Sequence, residues 1–100
     1  SDLYDLVFQL PDSVVENKVI YSKLLLTFRQ TVTTDGLFII NTETGEPEEL
    51  ESGLRQIKME ENIGRYIDKD GRLTVRIEKR GKHNPQVPVP GVTIEGEFVQ

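Results

Sequence analysis

The chain has 100 residues, of which 36% are hydrophobic and 29% charged, with a formal net charge of -5. That size and balance predict one soluble globular domain around a single core and exclude a disordered polymer. The acidic sign argues against sequence-independent nucleic-acid binding and against direct membrane insertion or affinity for anionic membranes; no apolar run approaches the roughly 20 residues of a membrane span. Cysteine is absent, so the sequence offers no disulfide framework, no cysteine-based zinc site and no thiol nucleophile. The opening Ser1-Asp2-Leu3 carries neither the basic region nor the apolar stretch of a secretory leader. One domain over 1–100, excised from a larger protein, is the expectation.

The first predicted strand covers 3–10, where Leu6, Phe8 and Leu10 alternate with Asp5, Val7 and Gln9. Pro11-Asp12 ends it, because proline cannot donate to a ladder and aspartate favours turns. The strongest ribbon follows at 19–29. Ile20, Leu24, Leu26 and Phe28 fall on one face, and Tyr21, Lys23, Thr27 and Arg29 on the other, which is the pattern of a half-buried strand. Thr34-Asp35-Gly36 is a hairpin signal, and 37–41 reads as a compact strand buried on both sides. Thr44-Gly45-Glu46-Pro47 is the next turn.

Alternation fails between 48 and 67, where Leu50 and Leu54, and again Ile63 and Ile67, stand at helical spacing. Gly53 and Gly64 interrupt any long helix there. A strand over 54–59 and one helical turn over 60–66 are expected. Asp68-Lys-Asp-Gly71 forms a tight turn before a strand over 72–78. A polar loop follows, then a segment stiffened by Pro85, Pro88 and Pro90, and a last strand over 92–99. Short strands separated by regular turn signals predict an all-β fold: a single antiparallel β-sandwich, jelly-roll-like, of about seven to eight short strands. Its interior is expected to take Phe8, Val75, Ile77, Ile94 and Phe98 beside the dry face of 19–29.

No residue pattern announces catalysis, and the chain is not expected to be an enzyme or to need a cofactor. His83, the single histidine, sits in a polar loop beside Lys82 and Asn84, with neither a carboxylate to hold it nor a nucleophile to serve. Asp68 and Asp70 resemble the start of a calcium loop, but Gly71 and Arg72 stand where the third ligand belongs, so a plain turn with Asp70 and Gly71 in the left-handed region is favoured over a metal site. Glu43, Glu46, Glu48, Glu49 and Glu51 form the densest charge cluster and read as a solvated acidic loop whose functional version is a rim for a basic partner or a cation site. The basic group Lys79, Arg80, Lys82 and His83 is expected to protect a sheet edge, with binding of acidic ligands as the alternative. Of the tyrosines, Tyr21 on the wet face offers the best stacking surface, whereas Tyr66 beside Ile67 belongs in the core.

The order of segments carries a resemblance. Phe8-Gln-Leu-Pro followed by Ser22-Lys-Leu-Leu-Leu resembles the opening strand pair of secreted jelly-roll modules. Ile40-Asn-Thr-Glu-Thr-Gly45, Ile63-Gly-Arg-Tyr-Ile-Asp-Lys-Asp-Gly71 and Leu73-Thr-Val-Arg-Ile-Glu78 are similar to their later half. Galactose-binding-like accessory domains of bacterial surface proteins share this layout, and the prodomain arms of the TGF-β superfamily share parts of it. Tyr66 stands where that group places a tryptophan. The resemblance implies a non-catalytic binding or spacer module of a secreted or surface-anchored protein, located outside the cell or on its surface, with a protein or glycan partner. A cytoplasmic location and the oligomeric state are left open by the sequence. The residues expected to carry binding are Tyr21, Lys23 and Arg29 with Glu46, Glu48 and Glu49. The alternatives are a structural assembly subunit that pairs through an edge strand, and an accessory domain of an enzyme.

Overall fold

A computed structural model describes residues 3–12, 19–27, 36–51, 53–80 and 91–98, with side chains left out at 19–22 and 91–98. Seven strands and one short 3-10 turn occupy them: β1 (Leu3–Gln9), β2 (Val19–Thr27), β3 (Gly36–Ile40), β4 (Pro47–Glu49), β5 (Gln56–Met59), the turn Ile63–Tyr66, β6 (Arg72–Glu78) and β7 (Gly91–Phe98). All pairings are antiparallel. They build a four-stranded sheet in the order β1-β6-β3-β4 and a three-stranded sheet in the order β5-β2-β7. The all-β class expected from the sequence is the one found. No helix among the described residues is long and apolar enough to cross a membrane.

Alternation explains the core. In β6, Leu73, Val75 and Ile77 are buried while the residues between them are half-exposed. β3 sends Leu37 and Ile39 to the same interior, and β2 sends Leu24 and Leu26 to it from the other sheet. Ile57, Ile63 and Tyr66 complete the cluster. Each such aliphatic side chain contributes about 1.5–3 kcal/mol of transfer free energy, and this is what holds residues from both sheets in one cluster. On β3 the expectation of burial on both faces is corrected, since Phe38 and Ile40 remain partly exposed on the side away from the cluster.

Strand β2 contains an irregularity that the sequence does not reveal. Tyr21 pairs with Gly96 and Lys23 with Glu95, so β2 spends one more residue than β7 across that step. Such a bulge breaks the period-2 count. The side chains of Ile20 and Tyr21, on which the expected dry and wet faces extend back from Leu24, lie outside the described residues. β2 and β3 belong to different sheets, and the hairpin expected at 34–36 falls mostly outside the described residues. Thr34 and Asp35 themselves lie outside the described residues, as do Phe28, Arg29, His83 and the three prolines at 85, 88 and 90.

The turn at 68–71 is built by its own side chain. The Asp68 carboxylate accepts from the Asp70 and Arg72 amides at 2.9 and 2.8 Å, and the Gly71 amide donates to the Asp68 carbonyl at 3.0 Å. Gly71 alone takes the left-handed conformation, at φ 76°, whereas Asp70 does not. A turn forms at 68–71, where the sequence predicts one. It has one left-handed residue instead of two, and it spans the four residues Asp68–Gly71, closed by the Gly71 amide on the Asp68 carbonyl.

Candidate functional site

The residues 46–51, expected as a mobile acidic loop, are instead divided by an edge strand. Pro47-Glu-Glu49 has poor intrinsic strand preference, yet it pairs with β3 in the register Phe38–Glu49, Ile39–Glu48 and Ile40–Pro47. Directly opposed residues share a face, so Glu48 lies on the same side as the buried Ile39. There its carboxylate meets a ready set of donors. The Tyr66 hydroxyl donates to Oε1 at 2.8 Å, the Asn41 amide to Oε2 at 2.9 Å and the Arg65 Nε to Oε2 at 3.4 Å. Arg65 also donates through Nη2 to the Tyr66 hydroxyl, and its guanidinium carbon stands 4.2 Å from the centre of the Tyr66 ring.

This network sets the protonation states of both partners. The hydrogen bond from Tyr66, followed by those from Asn41 and Arg65, holds the Glu48 carboxyl below its ordinary value against an opposing desolvation effect. Burial, reinforced by the Glu48 carboxylate, pushes the Tyr66 hydroxyl up to about 12. At neutral pH the pair is therefore a carboxylate accepting from a neutral phenol. The three donors favour Glu48 as an anion and tie it to two other segments, so the arrangement is that of an anchor.

What it anchors is a hairpin. Asn41 accepts at Oδ1 from the Glu43 and Thr44 amides, and Gly45 takes φ 77° to close the turn. Thr42 then ties the hairpin to the 3-10 turn: its amide and its hydroxyl both donate to the Arg65 carbonyl at 2.7 Å. Asn62, at φ 50°, starts that turn from the left-handed region, which lets Arg65 and Tyr66 both reach Glu48. Between hairpin and turn lies a shallow depression of about 450 Å³ lined by Thr42, Glu43, Gly64, Ile67, Asp68, Lys69 and Asp70. Its lining thus combines apolar Ile67 with three acidic residues and one lysine.

The residues expected to bind are distributed as follows. Glu46 and Glu49 are exposed beside the hairpin, Glu49 with the Arg80 guanidinium 3.9 Å from its Oε1, while Glu48 is half-buried and held by Tyr66, Asn41 and Arg65. Lys23 is exposed on β2, in the other sheet, opposite Glu95. Its charge acts on Glu60, whose carboxyl is held low chiefly by the hydrogen bond from Lys58 and to a lesser degree by Lys23. The side chains of Tyr21 and Arg29 lie outside the described residues. Tyr66 is a core residue, as expected, but its hydroxyl has a specific partner that residue spacing could not supply. Asn41 and Arg65 were not legible as site residues. Asn41 had a local signal in the Asn-x-x-x-Gly turn, whereas Arg65 meets Glu48 across 17 positions. The described residues hold no group of three or more His, Cys, Asp or Glu placed to bind one metal ion.

Comparison of the chain with protein-family models, with curated proteins and with solved structures finds no match.

Proposed function

We propose that the chain is a non-catalytic β-sandwich module of jelly-roll type in a larger secreted or surface-anchored protein, and that it binds a basic segment of a protein partner at the β3–β4 hairpin end. Support for the sandwich reading comes from the shared apolar cluster, to which β2 and β5 contribute from one sheet and β3 and β6 from the other. Support for the binding reading comes from one observation above all: Glu48 clamps the hairpin to the 3-10 turn, so the exposed carboxylates of Glu43, Glu46 and Glu49 project from a fixed frame. A fixed frame lets fixed charges select a partner without first ordering a loop, which lowers the cost of association. The net charge of -5 favours a cationic partner at longer range.

The test is titration of the folded chain with a Lys/Arg-rich peptide and with a neutral peptide of equal length. Saturable binding of the basic peptide, weakened by salt and by Glu43→Gln with Glu46→Gln, is expected; removing two rim charges should cost about 3- to 10-fold in Kd. Equal binding of the neutral peptide, or an unchanged Kd in the double variant, refutes the reading. Retention on a glycan array by a chain indifferent to the basic peptide would assign the surface to sugars instead.

A further inference from the structure

The sheet edges differ in how they discourage further pairing. An open edge presents unpaired amides and carbonyls to any extended chain, and proteins ordinarily blunt it with short strands, proline, edge lysine or inward charges. β4 has only three residues, begins with Pro47 and turns Glu48 inward. β5 has four residues and carries Lys58. β7 carries Glu95 and Glu97 along eight residues, which would oppose like charges in a self-pairing. β1 is different. It is seven residues long, Leu-Tyr-Asp-Leu-Val-Phe-Gln, contains neither proline nor lysine, and among the described residues pairs on one side only, with β6.

Its side chains are also incompletely covered on both faces. Leu3 and Val7 are 52% and 58% exposed on the outer face. Tyr4, Leu6 and Phe8 on the inner face remain only half-buried, although the β6 residues directly opposite them, Ile77, Val75 and Leu73, are fully buried. The one charge on β1 is already neutralised: Asp5 accepts from Arg76 Nε at 2.7 Å and Nη2 at 3.0 Å.

From this edge we infer that two copies of the chain associate through β1, antiparallel about a two-fold axis at Leu6, joining their four-stranded sheets into one. The occupant is a second copy because the strand is complementary to itself. In that register Tyr4 of each copy faces Phe8 of the other, Leu6 faces Leu6, Leu3 faces Gln9, and Asp5 faces Val7. The inner-face pairs are all apolar and extend the core row of β6, and aromatic cross-strand pairs are among the favourable ones. No like charges are opposed, in contrast to the alternative axis at Asp5, which would set Asp5 against Asp5. The interface is isologous and closes at two copies. It stands apart from the hairpin end, which lies beyond β3 at the opposite edge of the sheet.

The experiment is light scattering on the intact chain from micromolar to millimolar concentration, with two variants. The wild type should pass from monomer to dimer mass and go no further. Val7→Glu sets a carboxylate opposite Asp5 of the other copy, at an exposed position of the edge, and should hold the monomer mass with its melting temperature little changed. The chain has no cysteine, so Leu6→Cys should cross-link to a disulfide dimer under mild oxidation much faster than Thr27→Cys, an exposed position on β2. A monomer mass throughout, a dimer that persists in Val7→Glu, or equal cross-linking of the two cysteine variants overturns the inference. If Val7→Glu fails to fold, the ratio of cross-linking rates decides alone.

Discussion

Replacing Tyr66 with phenylalanine removes one oxygen from the interior and leaves the ring in place, so its cost isolates the Glu48 anchor. The lost bond is charge-assisted, a class worth about 1.5–3 kcal/mol. Two features pull the figure down here. The Glu48 side chain is 38% exposed and regains water when its partner goes, and it keeps Asn41 and Arg65 as donors. A cost of about 1 kcal/mol at neutral pH follows. Its pH dependence is more telling than its size. The Glu48 carboxyl lies below its ordinary value in the folded chain, so its contribution is present above the unfolded value and lost as pH falls through the folded one. The Tyr66 hydroxyl moves the other way, from 10.0 up to about 12, so neutral tyrosine contributes stability that is lost as pH rises between those values. At 1.36 kcal/mol per pH unit that loss is at most about 2.7 kcal/mol. Urea unfolding followed by circular dichroism should show the wild type ahead by about 1 kcal/mol at pH 7, level with Tyr66→Phe in strong acid, and behind it near pH 12. A difference that is the same at all three values would refute the anchor, because simple packing of a ring has no titration.

Two further perturbations test the frame. The Asp5 carboxyl is held low by the hydrogen bond from Arg76, and both groups are partly exposed, so a double-mutant cycle with Asp5→Asn and Arg76→Gln should give a coupling of about 0.5–1 kcal/mol at pH 7. That coupling should fade as pH drops below the ordinary aspartate range, and urea midpoints across pH measure it. Asn62 holds φ 50° at the start of the 3-10 turn; Asn62→Ala should cost about 1–2 kcal/mol in thermal unfolding, while Asn62→Gly should be near neutral.

Legibility in the sequence followed the range of the forces involved. Alternation at 3–10 and 72–78 is a local property, because successive strand side chains must point to opposite faces, and both strands formed where that pattern ran. The Asp68–Gly71 turn was equally local, since one carboxylate bonds amides two and four residues on. By contrast, β4 forms from a proline and two glutamates that favour no strand. What stabilises it is a ladder with β3 and the donors of Tyr66 and Arg65, 18 and 17 positions away. The bulge in β2 was hidden for a related reason. Register belongs to a pair of strands, and no count along one strand can reveal that its partner advances by one residue fewer.

By itself, then, the sequence determined that this protein is all-β, with apolar faces at 3–10 and 72–78 and a turn at 68–71, since these depend on neighbours in the chain. Tertiary structure alone decided that the described strands divide into sheets of four and three, that Glu48 is an anchor while Glu43, Glu46 and Glu49 stay exposed, and that β1 stands at an edge among the described residues. Those outcomes depend on which strands meet. Hydrogen-bond ladders and buried ion–phenol contacts reward meetings between residues far apart in sequence, where hydrophobic periodicity carries no information.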